Sequence, residues 1–370
     1  MDPAELTALG VYSPNAADAE QRLELLDFVL ALGATADELV QYKDNLPQLA
    51  GGIAIRGGPL LSVEEVAARA GLTPKEVRRL VRLAGLPDPE PGARVFTEGF
   101  VALVTGMGDV AAVFGEDAGN QLLRVLGSAM ARVADAVTSA FIVNVGPAAF
   151  RDAAGLGLVR ASVDAAALIP FVAPALGTLF RQQLLTAQRM LDNDADRIGY
   201  DTQTLVVGFV DLVGSTELGE RLNVRDLGAT LTTFENVATD AVTAGGGRVV
   251  KLIGDEIMFT APDAPSAATI ALDLAESFRG HPVVPPVRAG LAGGQVLLRD
   301  GDAVGPVVNL AARAVTVGDP GDVVATADVA ARSGLAYESC GPQRLKGISD
   351  EVELYRLIRH WPSRRGVRRS

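Results

Sequence analysis

Cysteine, histidine and long uncharged runs are what this chain has least of. A single cysteine, Cys340, in 370 residues excludes an intrachain disulfide framework and points to a reducing compartment. Two histidines, His281 and His360, are too few to suggest a zinc or haem site. The longest runs without charge, residues 136–150 and 165–180, fall short of the ~20 residues a membrane-spanning helix needs, and Pro170 and Pro174 interrupt the second. The opening Met-Asp-Pro-Ala-Glu is acidic and lacks a signal-peptide pattern. The expectation is a soluble, cytoplasmic protein with no membrane span. A formal net charge of −12 argues against nonspecific nucleic-acid binding as the main task.

What is present is a length suited to two domains and, at 48% hydrophobic residues, enough apolar material for a large core. Residues 248–260 read as two short strands joined at Gly254-Asp255, a turn that puts a carboxylate at its tip, with Lys251 on the first arm. An apolar strand over 204–210 ends in a second acid, Asp211, followed by Leu212-Val-Gly-Ser-Thr216. Two aspartates meeting at one sheet edge offer hard oxygen donors, which suit Mg²⁺ or Mn²⁺ rather than zinc. A third cluster begins at Asp302; Gly305-Pro306 then starts a helix on which Asn309 and Arg313, at i and i+4, share a face.

Ahead of these motifs the pattern is helical. Residues 62–86 look like a helix-turn-helix: Ser62 with Glu65 forms a capping-box pattern, Gly71 permits the turn, and Thr73-Pro74 opens a second helix bearing Lys75, Arg78, Arg79 and Arg82. Two readings stand beside each other, DNA contact and a compact module reused for packing. Gly-rich residues 51–58 predict a connection, and 97–113, 117–143, 152–168 and 176–191 predict helices rich in Ala, Val, Leu and Gly. Helices so apolar must bury their faces against each other, a second copy, or a fatty-acyl ligand. Polar residues 192–203 read as a linker.

Three stretches together, Phe-x-Asp-x-x-Gly-Ser-Thr at 209–216, Lys-x-x-x-Asp at 251–255 and Asp-x6-Asn-x3-Arg at 302–313, resemble the class III nucleotide cyclases. The resemblance covers roughly 203–358. It implies an α+β chain: an all-α regulatory domain over 1–191, the linker 192–203, a ferredoxin-like (βαββαβ) cyclase domain over 204–358, and a basic tail over 359–370. It also implies an adenylate cyclase making 3′,5′-cyclic AMP and pyrophosphate from ATP. Asp211 and Asp255 would hold two divalent cations, Mg²⁺ or Mn²⁺. Lys251 and Asp302 would read adenine, Asn309 would orient the ribose, and Arg313 would contact the phosphates. Arg344-Leu-Lys-Gly-Ile348 makes Lys346 the candidate for the outer phosphates. In the family the two half-sets come from different subunits, so a homodimer would build two sites. The arrangement further resembles actinobacterial cyclases restrained by an N-terminal domain, one of which responds to pH. The alternative is a nucleotide-sensing transcription regulator using 62–86, with a cyclase-like domain that does no chemistry. A guanylate cyclase is disfavoured by Lys251 and Asp302, and a diguanylate cyclase by the missing second glycine in Ile253-Gly-Asp-Glu-Ile257.

Overall fold

A computed structural model describes residues 1–144, 156–192 and 202–359. The chain divides into two compact units, Met1–Leu184 and Leu185–Ser370.

The helices of the first unit are α1 (Pro3–Ala8), α2 (Ala19–Ala31), α3 (Ala36–Gln41), α4 (Leu46–Arg56), α5 (Val63–Ala70), α6 (Pro74–Leu83), α7 (Glu98–Phe114), α8 (Glu116–Asn144), α9 (Leu156–Ala166) and α10 (Ile169–Asp192), whose residues from Leu185 on are counted in the second. Thr35, Ser62 and Thr73 each cap the following helix and donate their backbone amides in return to the carboxylate of a glutamate three residues on, so the local sequence fixes three helix starts. One core gathers Leu6, Leu26, Val29, Leu39, Ala50 and Val159; a second gathers Leu61, Val66, Val77, Val81, Phe96 and Val104.

Three expectations change here. Gly51 and Gly52 lie inside α4 rather than in a connection. A Cβ at Gly51 would meet Ser162 Cβ at 3.6 Å, an ordinary packing distance, so α4 packs against α9 with room for a methyl group there. Pro170 and Pro174 do not break the path: Pro170 falls in the first turn of α10, where no amide is needed, and Pro174 costs one bond near the helix start. Helix α8 and the stretch Gly157–Gln188, which takes in most of α9 and of α10, are by length and composition alone apolar enough to cross a membrane. The sequence expectation counted runs up to the nearest charge, whereas a helix carries an isolated Asp135 or Arg160 without losing its apolar character.

The structure lends no support to the acyl-ligand expectation. The clefts of the helical unit are open, and ion pairs Glu38–Arg56 and Arg79–Glu116 stand in their walls. Arg78 and Arg82 both bond Asp88. The helix-turn-helix arginines are therefore committed to acids of their own unit.

The second unit is a mixed sheet: β1 (Thr202–Leu212), α11 (Ser215–Arg221), α12 (Val224–Ala244), β2 (Arg248–Ile253), β3 (Glu256–Ala261), α13 (Ala264–Ser277), β4 (Val287–Arg299), β5 (Asp302–Val304), α14 (Pro306–Ala314), β6 (Val323–Thr326), α15 (Ala327–Arg332), β7 (Ala336–Gln343) and β8 (Val352–Ile358). The strands lie in the order β2-β3-β1-β4-β6-β8-β7, with β5 folded back on β4. The first four strands and their helices give the expected βαββαβ order, with β1 between antiparallel β3 and β4. One face packs Phe234, Ile270, Leu274 and Phe278 of α12 and α13 against Val206, Val210 and Phe259. The other packs Ala311 and Val315 against Val207, Phe209, Met258 and Ala292. Residues 344–346 lie in the connection between β7 and β8, and Lys346 is exposed on it. Of the basic tail, Arg359 pairs with Asp273; His360, Arg364, Arg365, Arg368 and Arg369 lie outside the described residues.

Candidate active site

The β2–β3 hairpin forms because β-branched arms flank a turn that Gly254 enters at φ 65°, a left-handed conformation that costs glycine nothing. Asp255 stands at its tip. The adjoining strand β1 brings Asp211 opposite Glu256 in register, and Leu212 donates its amide to the Asp255 carbonyl at 3.1 Å. The two acids anticipated as a pair therefore sit at neighbouring strand ends.

Two further residues belong here. Arg288 opens β4 directly opposite Asp211 and donates from Nε and Nη2 to Asp211 Oδ2 at 3.0 and 2.9 Å. Glu256 is held to a pKa of about 7, first by burial and then by the charges of Asp211 and Asp255; Arg288 and Arg313 pull the other way. Three carboxylates thus share one edge with too little positive charge for all to ionise, an arrangement that suits an added cation. Among the described residues no cluster of three or more metal-binding side chains forms, so protein donors alone would not fill an octahedral shell. The donor set fits hard cations that keep water or phosphate oxygens as ligands. The sequence did carry a signal for Arg288, the lone charge inside the otherwise uncharged stretch 287–298.

Lys251 and Asp302, 51 residues apart, meet with Nζ 2.6 Å from Oδ2. A bulge in β2 between Val249 and Lys251 turns the lysine. Asp302 is held by the β4–β5 hairpin, whose two turn residues, Asp300 at φ 57° and Gly301 at φ 82°, both adopt the left-handed conformation that two-residue hairpins favour. Asp302 accepts the amide of Ala303 through its other oxygen, and both members of the ion pair stay about a third exposed. Beside it lies a pocket of about 250 Å³ lined by Leu205, Val250, Thr260 and Leu298.

Asn309 and Arg313 sit on the exposed face of α14, while Ala311 and Ala314 are buried beneath. Leu252 and Ile253 at the hairpin tip and Val304 beside Asp302 are each over 40% exposed, an apolar rim around the charged groups. The structure thus unites Asp211 with Asp255 and Lys251 with Asp302, and places Asn309 with Arg313 on one face. It records no contact between Lys346 and any of them.

Residues 10–191 match the family model described as the adenylate cyclase regulatory domain. An uncharacterized protein of Mycobacterium tuberculosis is 33% identical over 96% of this chain and 94% of its own. An adenylate cyclase of Streptomyces coelicolor is 33% identical over 70% of this chain and 68% of its own. A pH-sensitive adenylate cyclase of Mycobacterium tuberculosis is 28% identical over 92% and 88%. Among solved structures, the adenylyl cyclase CyaB from P. aeruginosa aligns with a TM-score of 0.40 and 22% identity, covering 44% of this chain and 98% of that one. The chain belongs to the adenylate cyclases, joining a cyclase domain to an N-terminal adenylate cyclase regulatory domain.

Proposed function

We propose that the chain converts ATP to 3′,5′-cyclic AMP and pyrophosphate at sites shared by two copies of itself. The observation that carries this reading is the Lys251–Asp302 pair. A donor and an acceptor held 2.6 Å apart match adenine, whose N1 accepts and whose neighbouring N6 amino group donates. Guanine offers an N1–H donor and an O6 acceptor, and would leave both side chains wrongly paired.

In this reading the ribose 3′ hydroxyl attacks the α-phosphorus in line. Its oxygen forms the new P–O bond as the bond to pyrophosphate breaks and the hydroxyl proton is lost. Asp211 and Asp255 would hold the divalent cations, whose chemistry when bound is to acidify the hydroxyl and neutralise phosphate charge. Arg288 compensates the Asp211 charge without a cation. Asn309 orients the ribose, and Arg313 stabilises charge that develops in the transition state. Lys346, on the exposed β7–β8 connection, is assigned to the outer phosphates. The Leu212 and Val213 amides are bonded to the Asp255 and Pro286 carbonyls, so the amides that would meet phosphate oxygens are those from Gly214 to Thr216, where the chain turns into α11.

The second copy is required because the metal acids and the Asn309–Arg313 face would serve different sites. The apolar rim of Leu252, Ile253 and Val304 suits coverage by that copy. Residues 1–191 would restrain the catalytic unit, with pH as the signal to test. The regulator alternative is weaker, since Arg78, Arg79 and Arg82 are already paired with acids.

The test is product formation by the full-length protein with Mn²⁺ or Mg²⁺, comparing ATP with GTP. Cyclic AMP from ATP, with little product from GTP, is expected. No product from a protein shown to be dimeric and metal-loaded would overturn the reading.

A further inference from the structure

Helix α14 carries Asn309 and Arg313 outward, so whatever seats its inner face sets where those side chains stand. The seat is on β4. A Cβ placed on Gly290 would lie 2.4 Å from the Val315 nitrogen, 2.5 Å from the Ala311 carbonyl oxygen and 2.9 Å from Val315 Cγ2. Contacts under 3.0 Å are essentially never seen for real Cβ atoms, and two of these three are to backbone that cannot rotate aside. The two backbone groups are themselves partners: the Val315 amide donates to the Ala311 carbonyl and closes the last turn of α14. That turn holds Arg313. Ala311, Ala314 and Val315 are buried at 0, 0 and 2% exposure, so the interface has no slack in which to absorb a methyl group.

The geometry points to Gly290 as a positioning residue for the cyclase reaction. Its missing side chain lets α14 sit directly on the sheet, and that height places Arg313 and Asn309 for the transition state. This rests on the shared-site reading above. A neighbour on the same strand provides the contrast. A Cβ on Gly293 would meet Asp328 Oδ2 at 2.7 Å, Arg332 Nη2 at 3.1 Å and Val329 Cγ2 at 3.1 Å, all side-chain atoms of α15 and none of α14.

The experiment uses full-length chains with Mn²⁺ and ATP. Gly290→Ala should lower kcat about 100-fold, the cost of an ångström-scale misplacement of a catalytic group, with KM for ATP within about threefold of wild type. Gly293→Ala should keep kcat. Mixed dimers then locate the damage. Gly290→Ala combined with Asp211→Ala should regain activity, because one site joins intact metal acids from the first chain to an intact α14 from the second. Gly290→Ala combined with Arg313→Ala should stay inactive, because both lesions fall in the same half-site. Recovery in that second mixture, equal loss in Gly290→Ala and Gly293→Ala, or wild-type kcat in Gly290→Ala would each overturn the inference. Asp211→Ala with Arg313→Ala is the control. If it fails to recover, the shared site falls, and Gly290 is judged by the kcat-against-KM split alone. If Gly290→Ala does not fold, Val315→Ile enlarges the helix side of the same contact, where Val315 Cγ2 faces Gly290, and must show the same split and mixing pattern.

Discussion

Replacing Glu256 with glutamine should remove a specific pH dependence from the metal-free protein. Burial and the neighbouring charges of Asp211 and Asp255 raise the Glu256 pKa from 4.5 to about 7. The unfolded chain therefore releases this proton near pH 4.5, while the folded chain keeps it until about pH 7. Between those values the folded state binds more protons, so stability falls as pH rises and the loss is complete above about pH 7. At 1.36 kcal/mol per pH unit this would reach roughly 3 kcal/mol. Glu256 is only partly buried, and solvent screening reduces the expected loss to about 1–2 kcal/mol. Thermal melts in chelator from pH 5 to 8 should show the wild-type transition dropping by about 3–6 °C more than that of Glu256→Gln. Parallel pH profiles in the two proteins would refute the argument. So would a wild-type melt that rises through this window by an amount that Glu256→Gln abolishes.

Arg288→Gln removes two charge-assisted bonds to a partly exposed carboxylate, so the metal-free melt should fall by an amount equivalent to about 1–2 kcal/mol. Mn²⁺ should then stabilise the variant more than wild type, because no guanidinium competes for Asp211; equal Mn²⁺ shifts in a fluorescence melt would contradict this. Lys251→Ala deletes the donor to adenine N1 and should cut kcat/KM for ATP by about 10–100-fold, without raising turnover of GTP, as read by product formation. Residues 203–370 alone should turn over ATP faster than the full chain and with less pH dependence if residues 1–191 restrain them; equal rates would end the inhibitory role.

The parts of the site legible in the sequence were those written locally. The 248–260 hairpin declared itself by its turn and its β-branched arms, and it forms as Arg248–Ile253 and Glu256–Ala261. Asn309 and Arg313 needed only helical spacing after Gly305-Pro306. The Arg288–Asp211 pair spans 77 residues and follows from strand register, which a single sequence does not encode locally. Glu256 was masked by its neighbour Asp255, since a titration set by three nearby carboxylates is a property of the fold. Strand Ala336–Gln343 was missed because Gly341-Pro342 and three polar residues give it little strand character; it survives at the sheet edge with a bulge between Ser339 and Pro342. In the helical unit, the caps at Thr35, Ser62 and Thr73 were readable. The burial of its apolar faces was not: Phe171, Leu179 and Phe180 are each 60% or more exposed in the single chain.

The central claim is catalysis at sites shared between two copies, and mixed dimers test it most directly. Asp211→Ala and Arg313→Ala chains should each form almost no cyclic AMP alone. After co-expression, half of randomly assorted dimers are mixed and each mixed dimer keeps one complete site, so activity should return to about a quarter of wild type. A mixture that contains heterodimers yet stays at the level of either variant alone would contradict the account.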